Sequence, residues 1–142
     1  MSSRDGSGPS HPVADPGGAP LPEWFTTFLG ALDGVADHEL SRFTPPPDTD
    51  SRSSAVLILF GDGPHGPDVL LIERAADMRS HAGQPAFPGG GVDPEDDGPV
   101  AAALREAREE TGLEPAGVTV VRVLPDLWLP PSGYTVTPVI GY

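Results

Sequence analysis

The first strong periodicity in the chain predicts an amphipathic helix that begins at Glu23. Between residues 23 and 34, apolar side chains recur three and four positions apart, which is the spacing of one helix face; they are Trp24, Phe25, Phe28, Leu29 and Leu32. A shorter helix is predicted within residues 36–43, and the prolines at 45–47 end the pattern. Residues 1–22 are rich in Pro, Gly and Ser, so we expect a disordered tail.

Short apolar runs in the rest of the chain predict β-strands. Residues 55–61 and 68–74 flank a Gly- and Pro-rich turn, so they are expected to pair as a hairpin. Residues 117–128 and 134–142 predict further strands, and a helix is predicted at about residues 99–111.

A long irregular stretch, residues 75–98, separates the hairpin from this helix. A loop of that length within a compact domain is usually functional. The order strand, strand, loop, helix, strand, strand predicts an α+β fold, with a mixed β-sheet and a helix packed on it. We expect a helical N-terminal segment at 23–47 and a main domain at 48–142. The last predicted strand stops at the end of the chain and the core is thin, which suggests a domain truncated at its C-terminus.

The predicted helix carries three glutamates where a helix gains least from acids. Glu106, Glu109 and Glu110 lie beside the face that is expected to be buried, which consists of Val100, Ala103, Leu104, Ala107 and Thr111. Repulsion between carboxylates three and four positions apart costs about 0.2–0.5 kcal/mol per pair, and the helix dipole adds to this cost. A divalent cation would remove it, because Mg²⁺ takes carboxylate and phosphate oxygens. The alternative is an ordinary glutamate-rich helix end.

The residues that flank the helix predict where it starts and stops. Asp96 or Asp97 is expected to cap the first turn, and Pro99 suits the first helical position. Gly112 fits the left-handed conformation that commonly ends a helix.

Composition and charge restrict the classes of function. There are 21 acidic residues, eight arginines, no lysine and no cysteine, and the formal net charge is −13. This charge argues against a nucleic-acid-binding surface, although bound cations can still attract an anionic substrate. Neither a membrane-spanning apolar run nor a secretory signal is visible, so a cytoplasmic protein is expected. A homodimer is one assembly that the sequence allows.

The sequence FPGGG at 87–91 precedes the helix and lets the backbone approach a ligand without side-chain clashes. Together the two segments resemble the Nudix box, Gly-x5-Glu-x7-Arg-Glu-(apolar)-x-Glu-Glu-x-Gly-(apolar). The second half of this motif is matched without departure by REAREETGL at 105–113.

The first half of the box departs from the pattern, because an aspartate stands where the family has a glutamate. Counting back from Arg105 assigns Gly91 and Asp97, whereas counting forward from FPGG assigns Gly90 and Asp96. In this family the first acid mainly braces the loop, so a supporting role is implied for either aspartate.

The stretch before the box, LLIERAADMRSHAGQPAFPGGGVDPED, resembles the extended motif of the coenzyme A diphosphatase branch of the family. The matching residues are Arg74, Arg79, His81, Gly83, Gln84, Phe87, Pro88, Gly89, Gly90 and Asp93. The resemblance covers about residues 40–142. It implies a Nudix fold and hydrolysis, with Mg²⁺ or Mn²⁺, of coenzyme A or its derivatives to adenosine 3′,5′-bisphosphate and 4′-phosphopantetheine.

The resemblance also implies roles for the helix residues. Glu109 and Glu110 are the expected metal ligands. Glu106 either binds the metal as well or accepts a hydrogen bond from the attacking water. Arg105 lies four positions before Glu109 and is expected to orient its carboxylate. The general base is left open, with a loop beyond Tyr142 as one source.

The loop is expected to supply the remaining contacts. A backbone carbonyl of Gly90, or of Gly89, completes the metal site, and the expected substrate contacts are Arg74, Arg79, His81, Gln84, Gly89 and Gly91. Arginine matches phosphate well, but an ion pair with Glu73 or Asp77 is an equal alternative for the two arginines.

Some loop residues have a structural alternative. His81 either bonds phosphate or braces the loop, Gln84 is mainly a brace, and Phe87 is expected in the core rather than stacked on substrate.

Two other functions remain open at the level of sequence. A Nudix enzyme of different specificity would act on another nucleoside diphosphate derivative, such as NADH or ADP-ribose. A non-catalytic Nudix module would bind a nucleotide or a protein partner without hydrolysis.

Overall fold

The computed structural model describes residues 20–36, 39, 51–75, 83–130 and 132–142. Along the chain its elements are α1 (Glu23–Leu32), β1 (Arg52–Gly63), β2 (Gly66–Val69), β3 (Ile72–Glu73), β4 (Pro85–Ala86), β5 (Gly89–Gly91), α2 (Pro99–Thr111), a 3₁₀ turn (Pro115–Gly117), β6 (Val120–Val123), β7 (Leu127–Leu129) and β8 (Tyr134–Gly141). Nearly all of the predicted tail and most of the predicted helix at 36–43 lie outside the described residues.

Strand β1 is at the centre of a mixed sheet, which among the described residues has six strands. It runs parallel to β8 and antiparallel to β2 and β5. The other edge of β8 pairs antiparallel with β6 and β7, one after the other. Strands β3 and β4 form a separate ribbon. The predicted α+β class with a mixed sheet is therefore confirmed.

Strand boundaries differ from the sequence predictions in several places. The predicted strand at 68–74 is divided, because the chain leaves β1 after Leu70 and pairs with β4 instead. The predicted strand at 117–128 is interrupted around Pro125, which has no N–H to donate to a ladder. The stretch at 75–98, predicted as a loop, contains the short strands β4 and β5.

The two faces of the sheet carry separate hydrophobic cores, because side chains alternate along each strand. The α2 face buries Ala55, Leu57, Ala102, Ala103, Ala107 and Val139. The α1 face buries Phe25, Val121 and Ile140 and is enclosed by partly buried side chains that include Trp24, Phe28, Phe60 and Tyr142. The predicted N-terminal helix therefore forms and packs on the sheet, on the face opposite α2.

Aromatic and polar contacts both attach α1 to the sheet. The ring of Phe25 is fully buried, with its centroid 5.6 Å from that of Phe60 and 5.3 Å from that of Tyr142. On β6, Arg122 donates to the carbonyl of Leu29 over 3.1 Å and forms an ion pair with Asp33. These contacts cover the sheet face that α2 leaves uncovered. Among the described residues, no helix has the length and apolarity needed to cross a membrane.

Substitution of Phe25 by alanine tests the docking of α1. Removal of a fully buried phenylalanine leaves a cavity in the aromatic cluster, so we expect Phe25→Ala to lower the free energy of unfolding by about 3–5 kcal/mol, measured by urea denaturation. Thr27→Ala, at an exposed position of the same helix, serves as the control and should change it by no more than about 0.5 kcal/mol. Equal effects of the two substitutions would contradict the docking.

Candidate functional site

The ends of helix α2 are set by proline and glycine. The helix follows Gly98 (φ 90°), has Pro99 in its first turn, and stops at Gly112, whose φ of 74° is left-handed. No side chain caps its start, so the predicted cap by Asp96 or Asp97 is wrong.

The buried face of α2 differs from the prediction at two positions. Ala102 is fully buried, whereas Thr111 is exposed. The hydroxyl of Thr111 donates to the carbonyl of Ala107 over 2.7 Å, which satisfies a backbone oxygen near the helix end. The helix therefore rests on alanines, which allow its backbone to approach the sheet closely.

Arg105 is the centre of the polar cluster beside α2. Its Nε and Nη2 donate to the two carboxylate oxygens of Asp96 over 2.9 and 3.0 Å. Its Nη1 is shared between Glu106, at 3.1 Å, and Glu109, at 3.3 Å. Nη2 also donates to the carbonyl of Gly91 over 3.1 Å. One guanidinium thus joins the loop before α2, strand β5 and two of the three glutamates.

Asp96, rather than Asp97, occupies the position beside Arg105. The side chain of Asp96 is 8% exposed and also accepts from the N–H of Asp93 over 2.8 Å, whereas Asp97 is exposed. Hydrogen bonds from Arg105 and from the backbone hold the pKa of Asp96 below its usual value, and the same contact with Asp96 raises the pKa of Arg105. Asp96 is therefore the acid that braces this loop.

The glycines of β5 permit two close approaches. A Cβ on Gly90 would lie 2.6 Å from the carboxylate carbon of Glu106, and a Cβ on Gly89 would lie 2.3 Å from the carbonyl oxygen of Ala55. Neither distance is possible for a real side chain. The run of glycine therefore brings the strand against both β1 and the acidic flank of α2.

The ladder between β1 and β5 determines where the glycine backbone points. Leu57 donates to the carbonyl of Pro88, and Val92 donates to that of Ser53, each over 2.9 Å. Bonded and non-bonded pairs alternate along an antiparallel ladder, so Gly90, which lies between these two bonds, turns its own N–H and carbonyl towards β1.

Gly89 and Gly91 consequently turn their backbone groups away from β1. The carbonyl of Gly91 accepts from Arg105, and the N–H of Gly89 donates to a carboxylate oxygen of Glu110 over 3.1 Å. The carbonyl of Gly89 points in the same outward direction. Of the two expected backbone ligands, Gly89 is thus the one whose oxygen faces the acidic flank.

Glu110 lies in an unusual electrostatic environment. Desolvation is the largest influence on its pKa and raises it, the bond from Gly89 lowers it, and the negative charge of Glu106 raises it further. The positive charge of Arg74 acts in the opposite direction. The net effect raises the pKa of Glu110 above its usual value, and the main cause is that its carboxyl group is partly removed from water.

Arg74 lies near this site with an exposed side chain. Within the described part of the chain it forms no ion pair, so the alternative pairing with Glu73 is not realised. Arg79 and His81, for which phosphate contacts were expected, lie outside the described residues, as does Asp77, the other possible ion-pair partner of the two arginines.

The other loop residues lie on or next to the β3–β4 ribbon. The backbone carbonyl of Gln84 accepts from the backbone N–H of Arg74 over 3.0 Å, which places the two residues side by side. Phe87 is 38% exposed, so its predicted core position is wrong. It follows the ribbon outside the six-stranded sheet, and Pro88 is buried in its place.

The donor set suits a hard divalent ion, although the side chains do not enclose one as placed. Among the described residues no three Asp, Glu or His side chains are grouped closely enough to hold a metal. Arg105 holds Glu106 and Glu109, while Gly89 holds Glu110. Carboxylates beside an outward carbonyl are nonetheless the oxygen donors that Mg²⁺ and Mn²⁺ take, and the missing Cβ of Gly90 leaves space at Glu106.

Sequence periodicity missed two contributors to this site. Asp96 and Arg105 are nine residues apart across the start of α2, a pairing that no helical spacing reveals. The outward backbone of Gly89 and Gly91 depends on a strand of three residues, which is too short and too rich in glycine to be predicted.

Comparisons with known proteins identify similar chains. A Nudix hydrolase named NudL from Salmonella paratyphi B is 48% identical over 111 residues, which are 74% of this chain and 57% of that protein. The chain therefore spans little more than half the length of this curated relative.

Solved structures are also similar. A Nudix hydrolase from M. smegmatis, RenU, has a TM-score of 0.53 and 32% identity over 63% of this chain and 59% of its own. A C. elegans Ap4A hydrolase, with a TM-score of 0.52, 22% identity, and coverage of 64% of this chain and 67% of its own, supports the fold alone. Residues 50–137, more than half of the chain, match the NUDIX domain. The chain belongs to the Nudix family.

Proposed function

We propose that this protein hydrolyses the diphosphate bond of coenzyme A or its derivatives, releasing adenosine 3′,5′-bisphosphate and 4′-phosphopantetheine. The observation that carries the proposal is the cluster in which Arg105 holds Glu106 and Glu109 beside the glycine strand while Glu110 reaches Gly89. The choice of coenzyme A rests on the resemblance of the preceding loop to that branch of the family.

Nudix enzymes generally use divalent metal ions. We assign Glu106, Glu109 and Glu110 as the side chains that hold Mg²⁺ or Mn²⁺, with the outward carbonyl of Gly89 as the favoured backbone ligand in place of Gly90. A bound ion supplies neutralisation of phosphate charge and makes a water molecule more acidic. Arg105 is not itself a ligand in this proposal.

Arg105 positions the carboxylates for this task. Its bidentate contact with Asp96 fixes the guanidinium plane, so Nη1 is presented to Glu106 and Glu109. Glu106 is also the proposed acceptor for the attacking water.

The cationic side of the proposed site comes from the loop. The charge of Arg74 lies within electrostatic reach of Glu110, and a guanidinium binds phosphate oxygens well. Arg79, His81, Gln84, Gly89 and Gly91 complete the proposed substrate contacts on the basis of the resemblance.

The function is tested by product analysis. Purified protein incubated with coenzyme A and Mg²⁺ or Mn²⁺ should release the two named products in equal amounts, as measured by chromatography, and EDTA should stop the reaction. If products are released only from ADP-ribose or from NADH, that compound, and not coenzyme A, is the substrate. Tight nucleotide binding without hydrolysis of any of them would favour a non-catalytic module.

Carboxamide variants separate the assigned ligands from other acids in this assay. Glu109→Gln and Glu110→Gln each replace a negatively charged ligand of the ion by a neutral one, so kcat should fall about 10²-fold or more. Glu114→Gln is the matched control, because this exposed residue lies just after α2 and its carboxylate accepts from the N–H of Ala116, away from the acidic cluster. Rates like that of the control in both variants would contradict the assignment.

Gly90→Ala tests the close approach of β5 to α2. The added Cβ would meet the carboxylate of Glu106 at 2.6 Å, so this ligand must move, and we expect kcat to fall about 10²-fold. Gly117→Ala is the control, because no atom lies within 4 Å of its added Cβ. Equal kcat values for the two variants would show that the position of Glu106 is unimportant.

A further inference from the structure

The N–H of Gly89 is a backbone donor at the edge of the sheet, beside the proposed metal site. The backbone groups of its neighbour Gly90 face β1 in the ladder. The N–H of Gly89 points outward instead and donates to Glu110 over 3.1 Å. Among the described residues β5 has no strand on its outer side, so a ligand can approach this donor from the side of α2.

The acceptor that occupies this donor is an anion. A carboxylate oxygen and a phosphate oxygen accept from a backbone N–H in the same way, with a strong, charge-assisted bond. Gly89 lacks a side chain that would restrict the approach, and the space on its other side is filled by β1. The oxygen of Glu110 thus marks a position at which this backbone binds negative charge.

Glu110 has two competing uses. Its carboxylate accepts from the N–H of Gly89, and Glu106 precedes it by four positions on the same flank of α2. A divalent ion held by Glu106 and Glu109 would attract the carboxylate of Glu110. Movement towards such an ion would lengthen its bond to Gly89, and the N–H would then be open to an oxygen of a diphosphate bound at the metal.

We propose that the Gly89 N–H is a substrate donor that Glu110 occupies until metal binds: the carboxylate then moves to the ion, and the N–H donates to an oxygen of the substrate diphosphate. This inference rests on the proposed metal-dependent hydrolysis. In this proposal Glu110 has two roles. It is a ligand of the metal ion, and before substrate binds it accepts from the Gly89 N–H at the position that a phosphate oxygen would take.

Amide hydrogen exchange, followed by NMR on ¹⁵N-labelled protein, tests this sequence of events. The Gly89 amide should be protected without metal, exchange about tenfold faster with saturating Mg²⁺, and be protected again when methylenediphosphonate, a non-hydrolysable diphosphate, is added with Mg²⁺. The Gly117 amide, which donates to the carbonyl of Glu114 over 3.0 Å, should stay unchanged in all three conditions.

Two variants of Glu110 isolate its part. Glu110→Ala removes the acceptor, so the Gly89 amide should exchange about tenfold faster than in the wild type without any metal. Glu110→Gln keeps an acceptor oxygen but is a poor ligand, so the same amide should stay protected both with and without Mg²⁺. Wild-type exchange in Glu110→Ala would show that Glu110 is not the partner of Gly89 and would overturn the proposal.

The remaining outcomes separate this inference from the proposed function. If Mg²⁺ shifts the amide signals of Glu106 and Glu109 but leaves exchange at Gly89 unchanged, the metal site stands and the release of Gly89 is refuted. If exchange accelerates with Mg²⁺ but methylenediphosphonate restores no protection, the donor role is refuted. If Mg²⁺ shifts no signal of α2, the metal site itself is wrong and the inference falls with it.

Discussion

The guanidinium of Arg105 is the interaction on which the arrangement of the site depends. One end grips both oxygens of Asp96 and the other contacts Glu106 and Glu109, so the loop, strand and helix are held by a single planar group. Arginine suits this position because it stays charged at every relevant pH and its donors have fixed directions. Because the pKa of Asp96 is lowered in the folded protein, this contact stabilises the fold above the ordinary aspartate pKa. That contribution is lost as the pH falls through the lowered value.

The glycine strand is the complementary constraint. Glu106 can lie against Gly90, and Gly89 can lie against β1, only because these two residues have no side chains. Arg105 reaches the carbonyl of Gly91 on the same strand. The small alanine side chains on the buried face of α2 also allow the helix to lie close to the sheet. The opposite face is covered by α1, so the central strands β1 and β8 are enclosed between two helices and provide a rigid base for the acidic cluster.

Much of the fold and the helix of the site could be predicted from the sequence. The bounds of α2 followed from Pro99, Gly112 and the apolar periodicity between them, and the face of α1 that carries Phe25 was identified from its spacing. The choice between Asp96 and Asp97 could not be made, because it depends on how the loop returns to the helix. Strand β5 and the exposure of Phe87 were missed for a related reason, since neighbours in space determine both.

The proposed metal site can be examined most directly by anomalous X-ray scattering from crystals soaked in Mn²⁺. We predict one strong anomalous peak bounded by the carboxylates of Glu106, Glu109 and Glu110, with the carbonyl of Gly89 beside it. Such a peak would show that the acids gathered around Arg105 exchange their present partners for an ion. Absence of a peak there at saturating Mn²⁺, or a peak only at acidic residues away from α2, would contradict the metal site.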